Sequence, residues 1–497
     1  MFNRKFLLCV LALLLITAPL LTACKTGDDT SKDVKSNVSG EPNSFPLEVE
    51  NFDTTIKILC VEKARHKYGE LQFVPNDELD GDAINEAVKV RNAYIKENFG
   101  ITIEVKPTRY PGDDIKTTVE AGLDEYQIVA DAVYKMLPNA TANYYVSLQD
   151  DLLLDRDWWD QNAIENLSIT EKTYFVAGDA LLTDDDHTYL ILYNKKMYEQ
   201  NTNLSEKYGD IYDFVNDGKW TYDAMYEMAK SVSKADDNGQ FGTTGGTYGL
   251  LGEGYGTGIL VEGSGVCSAQ KTNDGGIELL VDSEQSVNAF DKVFNLMTDK
   301  TTTLRVEQLG ETGWTDVSNA FVSGRGLFYL TTTSSISGIR DSKSEDKVDF
   351  GVIPIPKYDE EQEKYFNGVN VYQATVMAVP TTNVEKRDAT IYLMEALGYF
   401  SKYPSTGESV TNAYYETTLK LKSVDFVDED EKMLDNVFNN RLYDIGAIYN
   451  WGGNLIGIYS ATMRSGSNTL VSSYEKIKNG AQMAMEQTIE DYKNLIT

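Results

Sequence analysis

Thr55-Ile56-Lys57-Ile58-Leu59-Cys60 opens the stretch that decides the fold, because it reads as a strand-length apolar run. Asp82 then stands where it can cap a helix. Ile84, Val88, Ile95 and Phe99 recur at four- and seven-residue spacing, and Gly100 is placed to end that helix. Ile101-Thr102-Ile103-Glu104-Val105 alternates as a second strand, residues 115–121 read as another helix, and Tyr126-Gln127-Ile128-Val129-Ala130 as a third strand. Strand, helix, strand, helix, strand predicts an α/β sheet with crossover helices. Ligands of such sheets bind beyond the carboxyl ends of the strands. Asp131 and Tyr134 follow one such end and are candidates to hydrogen-bond a ligand, with helix capping as the alternative.

Further along, Thr188-Tyr189-Leu190-Ile191-Leu192-Tyr193 reads as a strand, and Thr221 can cap a helix with the stripe Met225, Met228, Ala229 and Val232. Residues 236–265 are glycine-rich and loop-like. A helix from Val317 leads through Gly324-Arg325-Gly326 into the strand Leu327-Phe328-Tyr329-Leu330. A short strand at 350–356 is closed by prolines, 374–379 is a strand, 387–400 a helix, and the chain is mostly helical from about Glu429. No repeat of solenoid or propeller period is present.

At the amino terminus, Arg4 and Lys5 precede an almost wholly apolar run from Phe6 to Leu21, which ends in Leu21-Thr22-Ala23-Cys24. A positive start, a short apolar core and a small-residue cut site make a secretory signal too short for a convincing membrane span. The tetrapeptide resembles the lipobox of bacterial lipoproteins, which implies lipidation of Cys24; an ordinary signal peptide with an incidental cysteine is the alternative. Residues 25–46 are polar, as suits a flexible tether. No later stretch approaches the ~20 apolar residues that cross a bilayer.

The formal charge of −32 argues against nucleic acid and anionic lipid headgroups as partners. Hydrophobic content of 41% supplies a sizeable core. Cys9 leaves with the leader and Cys24 takes the lipid. Cys60 and Cys267 then remain, either as a disulfide or as two lone buried thiols. Only His66 and His187 occur, so His-based triads and His-rich metal sites find little support, and no cofactor is expected.

In order, several fragments resemble the extracellular solute-binding proteins of ABC importers, the family that contains the maltose-binding proteins. These are Tyr193-Asn194-Lys195-Lys196-Met197-Tyr198, Lys219-Trp220-Thr221-Tyr222-Asp223, Ala320-Phe321-Val322-Ser323-Gly324-Arg325-Gly326-Leu327, Asp349-Phe350-Gly351-Val352-Ile353-Pro354-Ile355-Pro356 and Val379-Pro380-Thr381-Thr382. The resemblance covers roughly residues 55–497, and no motif is assignable at about 400–450. It implies an α/β, two-lobed periplasmic-binding-protein-like fold of type II, each lobe a mixed sheet flanked by helices, with hinge strands between. The expected division is 1–23 signal peptide, 24–53 tether, 54–189 with 375–430 one lobe, and 190–374 with 431–497 the other.

It further implies capture of a small solute, a sugar or oligosaccharide, for delivery to an ABC permease by a monomer held at the membrane through its lipid. A carbohydrate site needs flat apolar faces and hydroxyl-binding groups. Glu253 and Tyr255 lie in the glycine-rich loop where the family's second lobe meets sugar, with a solvated loop as the alternative; Asp186 and Tyr193 flank the strand entering that lobe, where packing is the alternative for Tyr193. Thr333 follows a strand where the family often has a tryptophan, and Trp314 or, by preference, Trp451 beside Gly452 and Gly453 can substitute. Trp158-Trp159 suits surface or inter-lobe packing, and Asp236-Asp237-Asn238-Gly239 suits a turn better than calcium. A glycosidase using a pair such as Asp185-Asp186 is the rival enzyme, though adjacent side chains diverge and no eight-unit barrel appears. A ligand-presenting sensor lipoprotein is the third alternative.

Overall fold

The structure, a computed structural model, describes residues 44–242, 245–272, 275–340, 348–420, 428–453 and 455–495. The expected leader, Cys24 and most of the expected tether lie outside the described residues. Among those described, no helix is long and apolar enough to cross a membrane.

Two mixed sheets flanked by helices make two lobes. In the first, Thr54–Val61 lies between the parallel strands Ile101–Thr108 and Ile128–Ala132, and Thr375–Ala378 returns antiparallel beside the latter. In the second, Gly326–Thr332 is central, with Tyr189–Asn194 antiparallel on one side and Tyr248–Gly252 parallel on the other. Phe350–Ile353 and Thr303–Arg305 form its edges. Burial explains the sequence patterns. Every residue of Ile128–Ala132, Tyr189–Asn194 and Gly326–Thr332 is buried, as strands covered on both faces must be, so they read as continuous apolar runs. The edge strand Ile101–Thr108 keeps Glu104 and Lys106 exposed, hence its alternation.

Helix ends follow local chemistry. Asp82 accepts from the Asn85 amide (3.0 Å) at the start of Ala83–Phe99, which buries Ile84, Val88, Ile95 and Phe99. Gly100 ends it at φ +66°, and a Cβ there would sit 2.8 Å from the Asp53 nitrogen. Thr221 accepts from the Ala224 amide (3.3 Å) and caps Tyr222–Val232.

Three expectations are refined. The last tether residues belong to the fold: the Phe52 ring packs 5.1 Å from Tyr392 and its amide donates to the Phe99 carbonyl (2.9 Å). Cys60 and Cys267 are both buried and unpaired, so the disulfide does not form. Trp158 and Trp159 are core residues rather than surface ones. The Trp158 indole packs edge-on against Tyr399 and donates to Glu395 (2.8 Å), which also accepts from the Leu153 amide (2.5 Å). Burial pushes the Glu395 carboxyl up to about 7.

Where the chain passes between sheets, three segments lie side by side. Thr188 pairs with Val369, the Asn370 amide donates to the His187 carbonyl (2.9 Å), and the Val369 amide donates to the Leu442 carbonyl (3.0 Å). Arg441 pins this seam. Its buried guanidinium donates to Thr188 (3.1 Å), Asp160 (3.0 Å), Asp184 (3.3 Å) and Asp185. Burial disfavours the Arg441 charge, but the surrounding carboxylates outweigh it and hold the group cationic.

Arg441→Ala should therefore cost about 3–5 kcal/mol in urea unfolding, because it strands buried carboxylates. Glu395 gives a pH dependence. A carboxyl held at about 7 when folded, against an ordinary 4.5, stabilises fully below about pH 4.5 and loses that contribution as pH rises through 7. Melting temperatures should fall between about pH 4.5 and 7, and Glu395→Gln should remove roughly 3 kcal/mol of that change.

Candidate ligand-binding cleft

The carboxyl ends of strands from both sheets converge at the seam. Thr54–Val61 runs into the loop that carries Arg65, His66 and Lys67, and Ile128–Ala132 runs into helix Val133–Ala140. From the other lobe, Tyr248–Gly252 leads to Glu253 and Tyr255, and Gly326–Thr332 leads to helix Ser334–Arg340. Each strand end therefore turns at once into a loop or helix start, which brings short polar and aromatic segments face to face.

Tyrosines bridge the two lobes. The Tyr134 and Tyr372 ring centres are 5.1 Å apart, Tyr372 and Tyr255 5.8 Å, and Tyr255 and Tyr189 6.2 Å. Tyr372 sits on the second crossing segment and is 37% exposed; Tyr134 and Tyr255 are half-buried. At the first lobe's rim, Tyr110 is 36% exposed, with the Arg65 guanidinium 5.0 Å and the Lys135 ammonium 4.8 Å from its ring centre.

Polar groups line the same place. Arg65 donates to Asp131 (2.6 Å) and to the Arg109 (2.9 Å) and Tyr372 (3.4 Å) carbonyls. Glu253 accepts from the Tyr189 hydroxyl (3.0 Å). Burial pushes its carboxyl up to about 7, and the nearby Glu307 charge adds to the rise. Across the lobes, Lys67 donates to Ser337 (3.3 Å), and Arg340 donates to the Thr417 (2.7 Å) and Thr418 (3.0 Å) carbonyls. The two histidines meet beside the cleft as well, with His66 Nε2 3.0 Å from His187 Nδ1.

Of the residues singled out in the sequence, Tyr134, Glu253 and Tyr255 come together here. Asp131 is fully buried, and its carboxylate is occupied by Arg65 and the Gly112 (2.9 Å) and Ala132 (2.6 Å) amides, so it positions the loop and helix starts. Asp186 is buried and accepts from the Tyr414 hydroxyl (3.1 Å), while Asp185 turns to Arg441; the adjacent carboxylates do diverge. Tyr193 packs edge-on against Tyr198 and Tyr212 inside the second lobe. Thr333 is fully buried, with its hydroxyl donating to the Asp185 carbonyl.

Trp314 is 57% exposed on helix Gly313–Val322 and offers a free face. Trp451 does not. It stacks on Tyr449 (5.0 Å, 3° between planes) and donates to Thr488 (2.9 Å). The glycines beside it do permit close approach, but by helix Lys478–Lys493: a Cβ on Gly452 would lie 3.1 Å from Ala481. Asp236 closes a plain turn by accepting from the Asn238 (2.9 Å) and Gln240 (2.7 Å) amides.

Sequence reasoning missed Arg65, Tyr110, Tyr189 and Tyr372. Arg65 and Tyr372 carried a usable signal, since one follows the first strand and the other lies next to the expected lobe boundary at 374–375. A second concavity of about 690 Å³, lined by Trp159, Asp179, Asp184, Lys402, Tyr415 and Arg441, uses its cations internally: Lys402 on Asp179, and Arg441 on the aspartates at the seam.

The family model described as bacterial extracellular solute-binding protein matches residues 77–390. No curated protein matches the sequence. Among solved structures, a cyclo/maltodextrin-binding protein complexed with maltotetraose is 17% identical, with 91% of this chain and 99% of that one covered at a TM-score of 0.55. The maltose/maltodextrin-binding domain MalE from Bdellovibrio bacteriovorus bound to maltotriose is 16% identical (88% and 100% covered, TM-score 0.51). An open-conformation sugar transporter structure from Rhizobium etli is 14% identical (88% and 99% covered, TM-score 0.52).

Proposed function

We propose, from the premise that this chain belongs to the family of bacterial extracellular solute-binding proteins, that it captures a carbohydrate between its lobes for an ABC permease. The observation that carries this is the run Tyr134, Tyr372, Tyr255 and Tyr189, which draws apolar faces from both lobes and a crossing segment to one place. Sugars present C–H faces to such rings and hydroxyls to groups like Glu253 and Arg65. The maltotetraose and maltotriose in related structures support an oligosaccharide as ligand. Contacts from both sides favour a closed state, because only differential affinity shifts a population.

In this proposal residues 54–189 with 375–430 form one lobe and 190–374 with 431–497 the other, and the seam residues form the hinge. The chain acts as an exported monomer, lipidated at Cys24, that binds without turnover and leaves ATP chemistry to the permease. Tyr134, Glu253, Tyr255 and the exposed Trp314 contact ligand; Asp131 and Asp186 support that surface, and Thr333 and Tyr193 set the strands behind it.

A thermal-shift panel of malto-oligosaccharides and raffinose-type sugars tests the ligand class, since ligand at a hundredfold Kd adds about 2.7 kcal/mol of stability. Tyr255→Ala and Tyr372→Ala should each weaken affinity roughly tenfold, about 1.4 kcal/mol, with stability retained. Trp451→Ala should do the reverse and destabilise by about 3 kcal/mol with affinity kept. Product formation from any bound oligosaccharide would favour the enzyme instead. In cell fractionation, Cys24→Ala should move the protein from the membrane to the soluble fraction; unchanged partitioning contradicts the anchor.

A further inference from the structure

A chain of this length holds two histidines, and folding brings them together. His66 stands on the loop after Thr54–Val61, and His187 with Asp186 on the first crossing segment. His66 Nε2 lies 3.0 Å from His187 Nδ1 and 3.7 Å from Asp186 Oδ2, and one ligand atom from each residue falls within 4.8 Å of the others. We propose that His66, Asp186 and His187 form a binding site for one divalent transition ion of the Zn²⁺ type beside the cleft.

The spacing suits such an ion. Four-coordinate zinc with bonds of about 2.0–2.2 Å keeps its ligand atoms roughly 3.3–3.6 Å apart; two of the separations here, 3.0 and 3.7 Å, bracket that distance, and the third is within 4.8 Å. Two imidazole nitrogens and one carboxylate oxygen select a borderline ion over calcium or magnesium, which demand shells of oxygen. Asp186 is pre-oriented. Its Oδ1 accepts from the Tyr414 hydroxyl (3.1 Å) and lies 3.7 Å from Lys67, while Oδ2 faces His66. The Thr183 carbonyl lies 3.1 Å from His187 Nδ1 and supplies a further oxygen at the edge of the site. His66 and Asp186 are buried, whereas His187 is half-buried, so an ion can enter past its ring.

Without an ion, the Tyr68 amide donates to His66 Nδ1 (3.2 Å), which puts that ring's proton on Nε2, directed at His187. A bound cation replaces this shared proton. The ring hydrogen moves to Nδ1, the Tyr68 amide is released, and no net proton leaves. The cost is two local hydrogen bonds, the Tyr68 amide to His66 and the one between the histidines. The gain is a tie between the first lobe and the crossing segment, independent of the sugar.

The test uses the untagged chain, stripped with chelator, because a histidine tag brings its own ligands. Calorimetry with Zn²⁺ and absorption with Co²⁺ should each give one ion per chain, the Co²⁺ form showing the intense bands of four-coordination; Ca²⁺ should give no heat. His66→Ala and His187→Ala should each weaken affinity at least about a hundredfold, and Tyr414→Phe about tenfold. Circular dichroism checks folding. Asp186→Asn, which keeps side-chain volume and an oxygen for Tyr414, provides the decisive variant if a histidine variant does not fold. Stoichiometric binding absent in the parent chain, or unchanged in these variants, overturns the site.

Discussion

The guanidinium of Arg441 holds the molecule's two halves in relation. It reaches Thr188, Asp184 and Asp185 on the first crossing segment and Asp160 in the first lobe, from a strand paired with the second crossing at Asn367–Gly368. A planar group with five donors can serve that many acceptors in one plane; a lysine cannot. Burial strengthens each bond and also makes each costly to leave unpaired. Burial pushes the Asp184 and Asp185 carboxyls upward, and the cation pulls them back. The seam is therefore an arrangement in which no member is expendable.

Order at that hinge fixes the axis about which the two lobes can close. The Tyr372 ring is placed because its segment is clamped: the Asn370 amide bonds His187, and the Val133 and Tyr134 amides donate back to the Ala374 (3.0 Å) and Val371 (3.2 Å) carbonyls. Strand ends from two sheets then supply rings and polar groups around a fixed centre. Family membership, the matched fold and the tyrosine run point to the same use, a solute held between lobes.

Much of the fold was legible because its signals are local. Continuous apolar runs marked the strands covered on both faces, Asp82 and Thr221 marked helix starts, and Gly100 marked an end. The site was less legible. Among 31 tyrosines, nothing local separates Tyr255, which faces the cleft, from Tyr193, which packs inside a lobe. Trp451 shows why: adjacent glycines signal close approach but not what approaches, and here it is a helix of the same chain. The Arg441 cluster joins positions 160, 184, 185 and 441, a pairing with no short-range signature. The meeting of His66 and His187, 121 positions apart, was hidden for the same reason.

Closure around ligand is the central claim, and a distance across the cleft tests it most directly. Spin labels at Lys106 in the first lobe and Glu311 in the second would sit on exposed positions near the carboxyl ends of strands, while Cys60 and Cys267 stay buried. Pulsed electron-spin distances should shorten and narrow when a saturating oligosaccharide is bound. An unchanged distribution, with binding demonstrated in the same sample, would contradict the account.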